Sequence, residues 1–364
     1  MALAVDRADR LIDEVFRETV HLFSTARDGL AIIGAFYVVK KVINISYNVF
    51  SMIKIHVMSR IFRVDLKEKY GPWAVVTGCT SGIGLAFCEE LAARGINIVL
   101  ISRSLSKLSA VIQTLESRFN VRVTAIVADF SEGPSVYDNI RKQLDGKDIG
   151  ILVNNVGVAY DYPMNFLDIT EQKIWELVNV NVAAATVMTH IVLPGMVERG
   201  RGAVVTMASG ASTMPTPLIA VYSATKAYLD YFCRAISYEY KKRGITVQCL
   251  MPYYIATGMT QYSTTLPRPN LIIPSPNTFV RHALSTLGWV DRTPGYLPHV
   301  LQMWIAHHLP EWLWMWGGNR LNDALREQAE IRIRHRSGSN PSNQMKTSRS
   351  SSAASVSSIG DPVL

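Results

Sequence analysis

Tyr222 and Lys226 lie four residues apart in the stretch YSATKAYLDYF, residues 222–232, and residues at this spacing share one face of an α-helix. An isolated tyrosine, with a pKa of ~10, is a poor proton shuttle at neutral pH. A neighbouring ammonium group stabilises the phenolate and moves that pKa down towards the operating range. The pair therefore indicates a proton donor to a developing alkoxide, as in the reduction of a ketone. The plainer interpretation is a Tyr–Lys pair on a solvated helix face.

Ser209 is a candidate for the group that would hold a ketone oxygen beside such a donor. Reduction of a ketone requires a preorganised hydrogen-bond donor at the oxygen, because negative charge develops there. Ser209 ends the apolar run GAVVTMAS, residues 202–209, shortly before Tyr222. A serine at the end of a strand is, taken alone, more often a turn residue. A site for a hydride-carrying cofactor elsewhere in the chain would favour the chemical role.

A glycine-rich loop, TGCTSGIG at residues 77–84, directly follows the first apolar run and opens a helical pattern. In this strand–turn–helix context, such a loop indicates a dinucleotide site. Gly78 allows the tight turn, Gly82 lets the backbone approach a pyrophosphate, and Gly84 lets helix and strand pack closely. The helix N-terminus offers N–H donors and a positive dipole end to phosphate. The predicted contact residues of the loop are Gly78, Thr80, Ser81, Gly82, Ile83 and Gly84.

Strands and helices alternate from residue 73 onwards. The strand-like runs are apolar throughout, as expected when helices cover both faces of a parallel sheet. The alternation predicts an α/β protein with a Rossmann-type doubly wound parallel sheet, built as a single domain. The predicted strands lie in 73–78, 96–102, 121–130, 149–157, 202–209 and 245–252. The predicted segments are an N-terminal hydrophobic helical segment 1–66, the Rossmann-type domain 67–290, a tryptophan-rich helical extension 291–330 and a disordered serine-rich basic tail 331–364.

The N-terminal segment contains an apolar stretch that favours contact with a membrane surface. The charge-free run Gly29–Val39 has 11 residues, too few to cross a hydrocarbon core of ~30 Å at about 1.5 Å per residue, and Lys40 and Lys41 interrupt it. A helix lying in a membrane interface fits this pattern better than a transmembrane span. A helix packed on the protein's own core or on a dimer partner is the alternative.

Charge and cysteine content exclude several classes of function. The formal charge of +8 is concentrated in the tail, whose polar composition favours solubility over membrane contact. The basic residues lack the interleaved aromatic residues expected of a nucleic-acid-binding face, so we expect no nucleic-acid partner. The four cysteines show no metal-ligand spacing, and His307 and His308 lack a third ligand, so we expect reduced buried thiols and no metal site.

The TGxxxGxG spacing of the glycine loop and the Ser–x12–Tyr–x3–Lys arrangement of Ser209, Tyr222 and Lys226 resemble the short-chain dehydrogenase/reductase family, over residues 67–290. The resemblance implies that Tyr222 protonates the substrate oxygen and that Ser209 holds the carbonyl. It implies that Lys226 tunes the tyrosine and holds the nicotinamide ribose. It also implies a fourth member, Asn181 in NVNVAAA, which would hold a water for proton relay, and Asn179 is the alternative.

The second predicted strand ends at ISRS, the position at which dinucleotide-binding folds read the adenosine ribose. No acid occupies residues 102–104, and Arg103 stands there instead, which favours NADP(H) over NAD. A solvated charge at a strand end is the alternative.

The family resemblance implies that Asp129 of VADF lies beside the adenine ring. It also implies that Asn154 and Asn155 of NNVG line or brace the cofactor crevice, unless one of them bonds the backbone across the sheet.

Several stretches outside these motifs, among them LVNNVGVAYDYP (152–163) and PEWLWMWGGNRLN (310–322), resemble the hydroxysteroid dehydrogenase-like protein 1 group. That group is sister to the very-long-chain 3-oxoacyl-CoA reductases, also called 17β-hydroxysteroid dehydrogenase type 12. The resemblance implies an NADPH-dependent reductase of a hydrophobic ketone, either a ketosteroid or a 3-oxoacyl-CoA. Members with phenylalanine in place of Tyr222 are regarded as catalytically silent, so the alternative is a silent dinucleotide-binding scaffold or regulatory protein. This chain keeps the tyrosine.

The same resemblance implies a substrate lid at GMTQYSTTLPRPNLIIPSP, residues 258–276, and a hydrophobic small-molecule substrate. The tryptophans between residues 304 and 316 would cover that substrate or form an interfacial belt, unless they complete the core. The resemblance also implies that the long helices expected at 170–198 and 221–243 pair with those of a second copy in a homodimer. The closer group implies a mitochondrial location, and the sister reductases imply the endoplasmic reticulum membrane.

Overall fold

A computed structural model of the protein describes residues 2–62 and 64–338. The chain forms two compact units, Met1–Met58 and Ser59–Leu364. The first helix, α1, begins at Ala2 in the first unit and ends at Ile61 in the second. All of the predicted site motifs lie in the second unit.

Helix α1 carries exposed apolar side chains along much of its length; Ile32, for example, is 71% exposed and Phe36 is 70% exposed. The helix continues through Lys40 and Lys41, because lysine is a good helix former. The sequence suggested a short apolar run that these lysines interrupt, but the apolar residues after them belong to the same helix. The stretch Glu14–Ile61 is long and apolar enough to cross a membrane, judged by length and composition.

Seven strands form one parallel sheet in the second unit. They are β1 Trp73–Thr77, β2 Asn97–Ser102, β3 Val123–Val127, β4 Ile149–Asn154, β5 Gly202–Met207, β6 Ile245–Leu250 and β7 Arg292–Thr293. Their order in the sheet is β3-β2-β1-β4-β5-β6-β7, and every neighbouring pair is parallel. This order confirms the predicted doubly wound α/β fold. The strand β7 was not predicted, because two residues are too few to show a periodic pattern.

Helices cover both faces of this sheet. In the second unit they are α2 Leu66–Tyr70, α3 Gly82–Ala92, α4 Leu105–Arg118, α5 Val136–Leu144, α6 Glu171–Val178, α7 Ala184–Glu198, α8 Ala220–Tyr240, α9 Pro276–Ser285, α10 Leu297–His308 and α11 Glu311–Gly338. Buried residues of α3, α4 and α9 form one apolar layer, and those of α5, α7 and α8 form the other. Every residue of β4 and β5 is buried, which explains why these strands are apolar throughout instead of alternating.

A π-helical segment, Asn179–Ala183, joins α6 to α7, so that the predicted long helix is continuous from Glu171 to Glu198. This stretch is also long and apolar enough to cross a membrane, judged by length and composition. Half of its most apolar part is buried inside the protein, as expected of a core helix. The second predicted long helix corresponds to α8 and the short 3-10 turn that follows it.

The C-terminal extension consists of α10 and α11, which bury Met303, Ala306, Leu325 and Ala329. Helix α11 continues to Gly338, so residues 331–338 are helical although the sequence assigned them to the disordered tail. The rest of that predicted tail, 339–364, lies outside the described residues. The tryptophans of this region divide between surface and interior, since Trp312 and Trp316 are exposed and Trp304 and Trp314 are half-buried.

Candidate functional site

The predicted motifs meet at the carboxyl edge of the sheet, where β1, β4 and β5 end side by side. The glycine loop follows β1, Asn155 follows β4, and Ser209 follows β5. Tyr222 and Lys226 lie on α8, which packs against β6 and the segment after β5. Ligands of doubly wound sheets bind in the crevice at this edge, next to the strand where the order reverses.

Gly78 and Gly84 give the glycine loop a shape that requires glycine. Gly78 has a φ of +65°, in the left-handed region, and a Cβ there would lie 2.9 Å from Cα of Val156. A Cβ at Gly84 would lie 2.2 Å from the carbonyl oxygen of Gly78. Gly82, the first residue of α3, has a φ of +56°. The loop and α3 therefore pack closely at the positions that the sequence predicted.

Asn155 braces this loop from the end of the neighbouring strand. Its Nδ2 donates hydrogen bonds to the carbonyl oxygens of Thr77, at 2.9 Å, and Gly78, at 3.1 Å. Asn154 is buried, and its Nδ2 donates to the hydroxyl oxygen of Thr189 on α7 at 3.0 Å. The structure thus separates the two asparagines: Asn155 holds the loop at the crevice, and Asn154 ties β4 to a core helix.

The N-terminus of α3 provides backbone donors at the glycine loop. Ser81 is the N-cap and forms no side-chain capping hydrogen bond, so Gly82 and Ile83 keep first-turn N–H groups without an intrahelical acceptor. The hydroxyl oxygen of Thr80 lies 3.2 Å from that of Ser102 and joins the loop to the end of β2. Free N–H groups at the positive end of a helix suit a phosphate, so these residues fit the pyrophosphate of a dinucleotide.

Arg103 and Asp129 follow β2 and β3 at the same edge of the sheet. Arg103 is exposed, and Asp129 accepts hydrogen bonds from the backbone N–H and the hydroxyl of Ser131, at 3.0 and 2.7 Å. Burial acts to raise the pKa of Asp129, but the two hydrogen bonds and the nearby charge of Arg103 bring that pKa below its usual value. A guanidinium group and a carboxylate therefore lie near one another after two neighbouring strands, where the family resemblance leads us to expect the adenosine of the cofactor.

The hydroxyl groups of Tyr222 and Ser209 lie close enough for the serine to influence the ionisation of the phenol. Burial raises the pKa of Tyr222, and the neighbouring Ser209 hydroxyl opposes this shift. The sequence led us to expect that Lys226 lowers the pKa of the tyrosine, whereas in the structure burial raises that pKa, because a phenolate loses hydration inside the protein. Tyr222 is a neutral phenol at neutral pH, which is the form that can donate a proton.

Lys226 is buried beside this phenol. Its Nζ lies 5.8 Å from the centre of the Tyr222 ring and donates a 2.8 Å hydrogen bond to the carbonyl oxygen of Met207, at the end of β5. Burial lowers the pKa of Lys226 to about 8, since an ammonium group loses hydration inside the protein. The lysine therefore titrates close to physiological pH.

Asn181, and not Asn179, approaches the lysine. A Cβ at Gly157 would lie 3.3 Å from Oδ1 of Asn181 and 3.4 Å from Nζ of Lys226, so both side chains border the same glycine. The Oδ1 of Asn181 accepts from the N–H of Val158 at 2.8 Å, and its Nδ2 donates to the carbonyl oxygen of that residue at 2.9 Å. Asn179 instead donates to the carbonyl oxygen of Ser131 at 3.2 Å. The π-helical turn thus gives the two asparagines different directions.

Two further tyrosines, Tyr254 and Tyr262, lie near Tyr222, and the sequence reasoning did not single them out. Burial, with a smaller effect of Tyr222, raises the pKa of Tyr254 to about 12. Burial also raises the pKa of Tyr262, and the neighbouring Tyr254 and Tyr222 raise it further. The segment MPYYIAT that follows β6 was a usable signal for Tyr254, but Tyr262 lies in the predicted lid, where the sequence shows no contact with the site.

Comparison with known proteins identifies the family. The model of the short chain dehydrogenase family matches residues 72–266, which span the glycine loop, Ser209, Tyr222 and Lys226. This chain belongs to the short-chain dehydrogenase family. The family predicted from the motifs is thereby confirmed, and the chain has the oxidoreductase fold of that family.

Curated relatives belong to two named groups. The human "Inactive hydroxysteroid dehydrogenase-like protein 1" is 49% identical over 316 residues, which cover 86% of this chain and 96% of the relative. The "Very-long-chain 3-oxoacyl-CoA reductase" of Macaca fascicularis is 41% identical over 300 residues, which cover 81% of this chain and 93% of the relative. Similarity to both groups agrees with the resemblance seen in the sequence.

A solved structure of similar fold is the short-chain dehydrogenase from Sphingobium yanoikuyae in complex with NADPH. The two chains superpose with a TM-score of 0.58 at 29% sequence identity, over 65% of this chain and 92% of that chain. The NADPH in that structure is bound by the dehydrogenase from Sphingobium yanoikuyae.

Proposed function

We propose that the protein is an NADPH-dependent reductase of a carbonyl group on a hydrophobic substrate, either a ketosteroid or a 3-oxoacyl-CoA. The observation that carries the proposal is the meeting of Ser209, Tyr222 and Lys226 at the crevice beside the glycine loop. The nearness of the Ser209 hydroxyl to the Tyr222 phenol and the 5.8 Å approach of Lys226 to the tyrosine ring support a shared role. A tyrosine that only completed a core would gain nothing from a buried lysine, whose charge is costly there.

The chain's residues supply the proton chemistry of the reduction. A nicotinamide held at the glycine loop would supply hydride to the carbonyl carbon. Ser209 orients the carbonyl oxygen, and Tyr222 transfers its phenolic proton to that oxygen as the charge develops. Lys226 then stabilises the phenolate, because an ammonium group favours the ionised form of a nearby acid. Asn181 borders the same glycine as Lys226 and positions a water that returns a proton from bulk solvent.

A preference for NADPH is supported by the adenosine end of the crevice. Arg103 stands where an acid would otherwise bind the ribose hydroxyls, and a guanidinium group suits a 2′-phosphate. Asp129 lies close enough to Arg103 for the two charges to interact, which would hold the guanidinium at the crevice. The NADPH bound to the similar dehydrogenase from Sphingobium yanoikuyae supports the same choice.

A hydrophobic substrate is supported by the lining of the site and by one relative. Tyr222, Tyr254 and Tyr262 present neutral phenol rings, whose faces suit an apolar body and whose hydroxyls suit a neutral carbonyl. The relative from Macaca fascicularis is named as a reductase of very-long-chain 3-oxoacyl-CoA. These observations favour an extended apolar ketone over a sugar or an amino acid.

A dinucleotide-binding scaffold without turnover is the second candidate, because the human relative is named inactive. The resemblance seen in the sequence associates silent members with phenylalanine at the position of Tyr222, and this chain has tyrosine. This chain therefore lacks the substitution by phenylalanine that would explain inactivity, and the reductase is the stronger candidate.

The deciding experiment is NADPH oxidation by the purified protein with androstenedione and with 3-oxohexadecanoyl-CoA. We expect turnover in the native protein, none in Tyr222→Phe, and unchanged NADPH affinity in both, since only the proton donor is lost. Tyr231→Phe is the matched control, because Tyr231 lies on the same helix and is 72% exposed. NADPH binding without any turnover would favour the scaffold, and equal turnover in the native protein and Tyr222→Phe would reject Tyr222 as the proton donor.

We also propose that the protein is a homodimer associated with a membrane surface. Exposed tyrosines on α8, among them Tyr231 and Tyr238, provide apolar area for a second copy, and Glu14–Ile61 provides an apolar helix for a lipid phase. The resemblance seen in the sequence favours a mitochondrial location, with the endoplasmic reticulum membrane as the alternative. Cell fractionation and alkaline carbonate extraction of the full chain test both, and cross-linking of native protein tests the dimer.

A further inference from the structure

The edge of the sheet at which the strands begin, here called the amino edge, lies opposite the crevice and carries an excess of basic side chains. Because all seven strands are parallel, the residues just before each strand meet at this one edge. The five-residue segments before the seven strands together contain ten basic and five acidic side chains, whereas the five-residue segments after them contain two of each. The positive charge therefore lies at the edge that the proposed reaction does not use.

Some of these basic side chains compensate acids at the same edge. Arg199 and Arg201 each lie 2.7 Å from a carboxylate oxygen of Asp148. Lys241 lies 3.3 Å from a carboxylate oxygen of Asp291. Three basic side chains are thus paired with two of the five acids, and an excess of positive charge remains.

Five further basic side chains of the amino edge form no ion pair within residues 2–62 and 64–338. They are Lys69, Arg122, Lys147, Lys242 and Arg243. Two of them, Arg122 and Lys147, instead lie over the Trp73 ring, 5.5 and 5.9 Å from its centre. An aromatic ring attracts a cation without cancelling its charge, so these groups stay available to an external anion.

This group of five residues, the basic face, extends across most of the sheet. Its members precede β1, β3, β4 and β6, and five strand spacings separate β3 from β6 in the sheet. At about 4.8 Å per spacing, the face is ~24 Å wide. Four of its side chains are exposed, and Lys147 is half-buried. A single small anion needs its ligands much closer together, so this width suits an extended anionic surface.

The basic face begins where the apolar helix α1 ends. Arg60 lies in the last turn of α1, and Lys67 and Lys69 follow within α2. The hydroxyl of Tyr70, at the end of α2, donates to the hydroxyl oxygen of Thr246 near the start of β6, at 3.2 Å. Helix α2 therefore lies against the amino edge. Because the chain passes from the apolar helix to this edge within a few residues, lipid that holds α1 also keeps the edge close.

The aromatic rings of the amino edge favour a bilayer over a nucleic acid as the occupant. Tyr70 is buried, and Trp73 and Tyr240 are half-buried, with basic side chains over all three rings. Single-stranded nucleic acids stack their bases on accessible rings, which these residues do not offer. A charged bilayer needs only basic side chains and an apolar anchor, and this chain has both.

We propose that the basic face docks on the surface of an anionic phospholipid bilayer, while the apolar part of α1 enters the lipid. The proposal rests on the proposed association with a membrane and deepens it, because it assigns the face of the protein and the charge of the lipid. Lysine and arginine side chains near such a surface are attracted to its anionic headgroups. The crevice then opens on the side away from the bilayer, ~20 Å from it across the length of the strands, where a soluble nucleotide enters.

The first test measures binding of the full chain to lipid vesicles by flotation. One set of vesicles contains phosphatidylcholine alone, and the other also contains phosphatidylserine. We expect the vesicles with phosphatidylserine to bind about tenfold more tightly at about 0.1 M salt and the difference to vanish at about 1 M, because the Debye length falls from ~10 Å to ~3 Å. Equal affinity for the two kinds of vesicle at the lower salt concentration would overturn the proposal.

The second test removes charge from the two ends of the basic face. Arg122→Gln combined with Lys242→Gln should weaken binding to phosphatidylserine vesicles about tenfold or more and leave binding to phosphatidylcholine unchanged, since each basic residue near the surface contributes roughly fivefold. Lys107→Gln combined with Arg268→Gln is the matched control, because both residues are exposed and lie after strands instead of before them. Equal weakening in the two double variants would show an effect of net charge alone and would overturn the assignment of the face.

The third test locates the contact on the native protein by acetylation of lysines with a water-soluble reagent. We expect phosphatidylserine vesicles to protect Lys69 and Lys242 and to leave Lys107 reactive. Protection of Lys107 without protection of Lys242 would overturn the proposal. A mixed-sequence RNA oligonucleotide and polyglutamate are then added as competitors at the charge concentration of the lipid. We expect neither to displace the protein, and displacement by either would reject the bilayer as the occupant.

These tests separate failure of this inference from failure of the proposed membrane association. Native protein that binds both kinds of vesicle equally would overturn the docking of the basic face and keep the association through α1. Native protein that binds neither kind would overturn both. Turnover by the crevice is measured independently, since the crevice lies at the other edge of the sheet.

Discussion

The ammonium group of Lys226 lies 5.8 Å from the ring centre of Tyr222 and is held there by a 2.8 Å hydrogen bond to the carbonyl oxygen of Met207. Met207 ends β5, two residues before Ser209. The helix that carries the proton donor and the strand that carries the carbonyl-holding serine are therefore joined through the lysine. A substitution of Lys226 would change the charge beside Tyr222 and also the link between α8 and β5. The pH dependence of turnover distinguishes these two effects, because it reports on the charge alone.

We expect reduction to weaken as the pH rises through about 8. Burial lowers the pKa of Lys226 to about 8, whereas burial raises that of Tyr222, so the lysine loses its proton first. Reduction needs both the neutral phenol and the ammonium, so kcat/KM should fall about tenfold per pH unit above this value. Lys226→Arg, which stays charged, should show no fall in this range if it folds. A flat profile for the native protein would contradict the role of the lysine.

Asn181→Ala should reduce both stability and turnover. The Asn181 side chain forms three hydrogen bonds, two with the backbone of Val158 and one with Thr225, and it is 1% exposed. Its removal leaves buried partners unsatisfied, so we expect a loss of about 2–3 kcal/mol in the free energy of unfolding, measured with urea. Asn179→Ala is the matched control, because Asn179 is half-buried and bonds the carbonyl oxygen of Ser131 instead. The same loss of turnover in both variants would argue against Asn181.

Gly84→Ala should abolish nucleotide binding. A Cβ at this position would lie 2.2 Å from the carbonyl oxygen of Gly78, which is backbone and cannot turn away. The loop must then move away from α3, and the donors that suit a pyrophosphate are lost. Gly317→Ala in α11 is the control, because a Cβ there meets nothing within 4 Å. Fluorescence titration with NADPH measures the effect, and unchanged affinity in Gly84→Ala would place the nucleotide elsewhere.

Arg103→Ala should weaken NADPH binding by roughly tenfold to a hundredfold while leaving NADH binding nearly unchanged. A hydrogen-bonded ion pair with the 2′-phosphate supplies this difference, and NADH has no such phosphate. Arg122→Ala is a useful control, because Arg122 lies over the Trp73 ring, 5.5 Å from its centre, at the opposite end of the strands. Equal effects on both nucleotides would assign Arg103 a general electrostatic role only.

Acid should destabilise the protein through His299. Burial lowers the pKa of His299 to about 4, from an ordinary value of ~6.5, so the unfolded chain binds a proton that the folded chain excludes. The free energy of unfolding is therefore highest above pH ~6.5 and falls as the pH drops, by about 1.4 kcal/mol per unit for this residue, until the folded residue also titrates. Urea denaturation between pH 7 and 5 measures this slope. His299→Gln should reduce it, and His307→Gln, at an exposed site, should not.

Much of the fold follows from the sequence because its cues are local. The apolar runs that become β4 and β5 are continuous, as expected of strands that are buried on both faces. The glycine loop is equally readable, because Gly78 and Gly84 occupy positions where a Cβ would meet backbone. The roles of Ser209, Tyr222, Lys226 and Asn181 stay predictions, although the structure brings the four side chains to one edge of the sheet.

The sequence by itself determined the fold class, the dinucleotide loop and the residues that meet at the crevice. Only the tertiary structure decided the state of those residues: burial raises the pKa of Tyr222 although a lysine stands one turn away. It also decided which asparagine borders the same glycine as Lys226, and it brought Arg332 to the carbonyl oxygen of Ser263, which lies 69 positions earlier in the chain. The reason is physical. Hydration loss and contacts between distant segments depend on how the elements pack, and no local pattern records them.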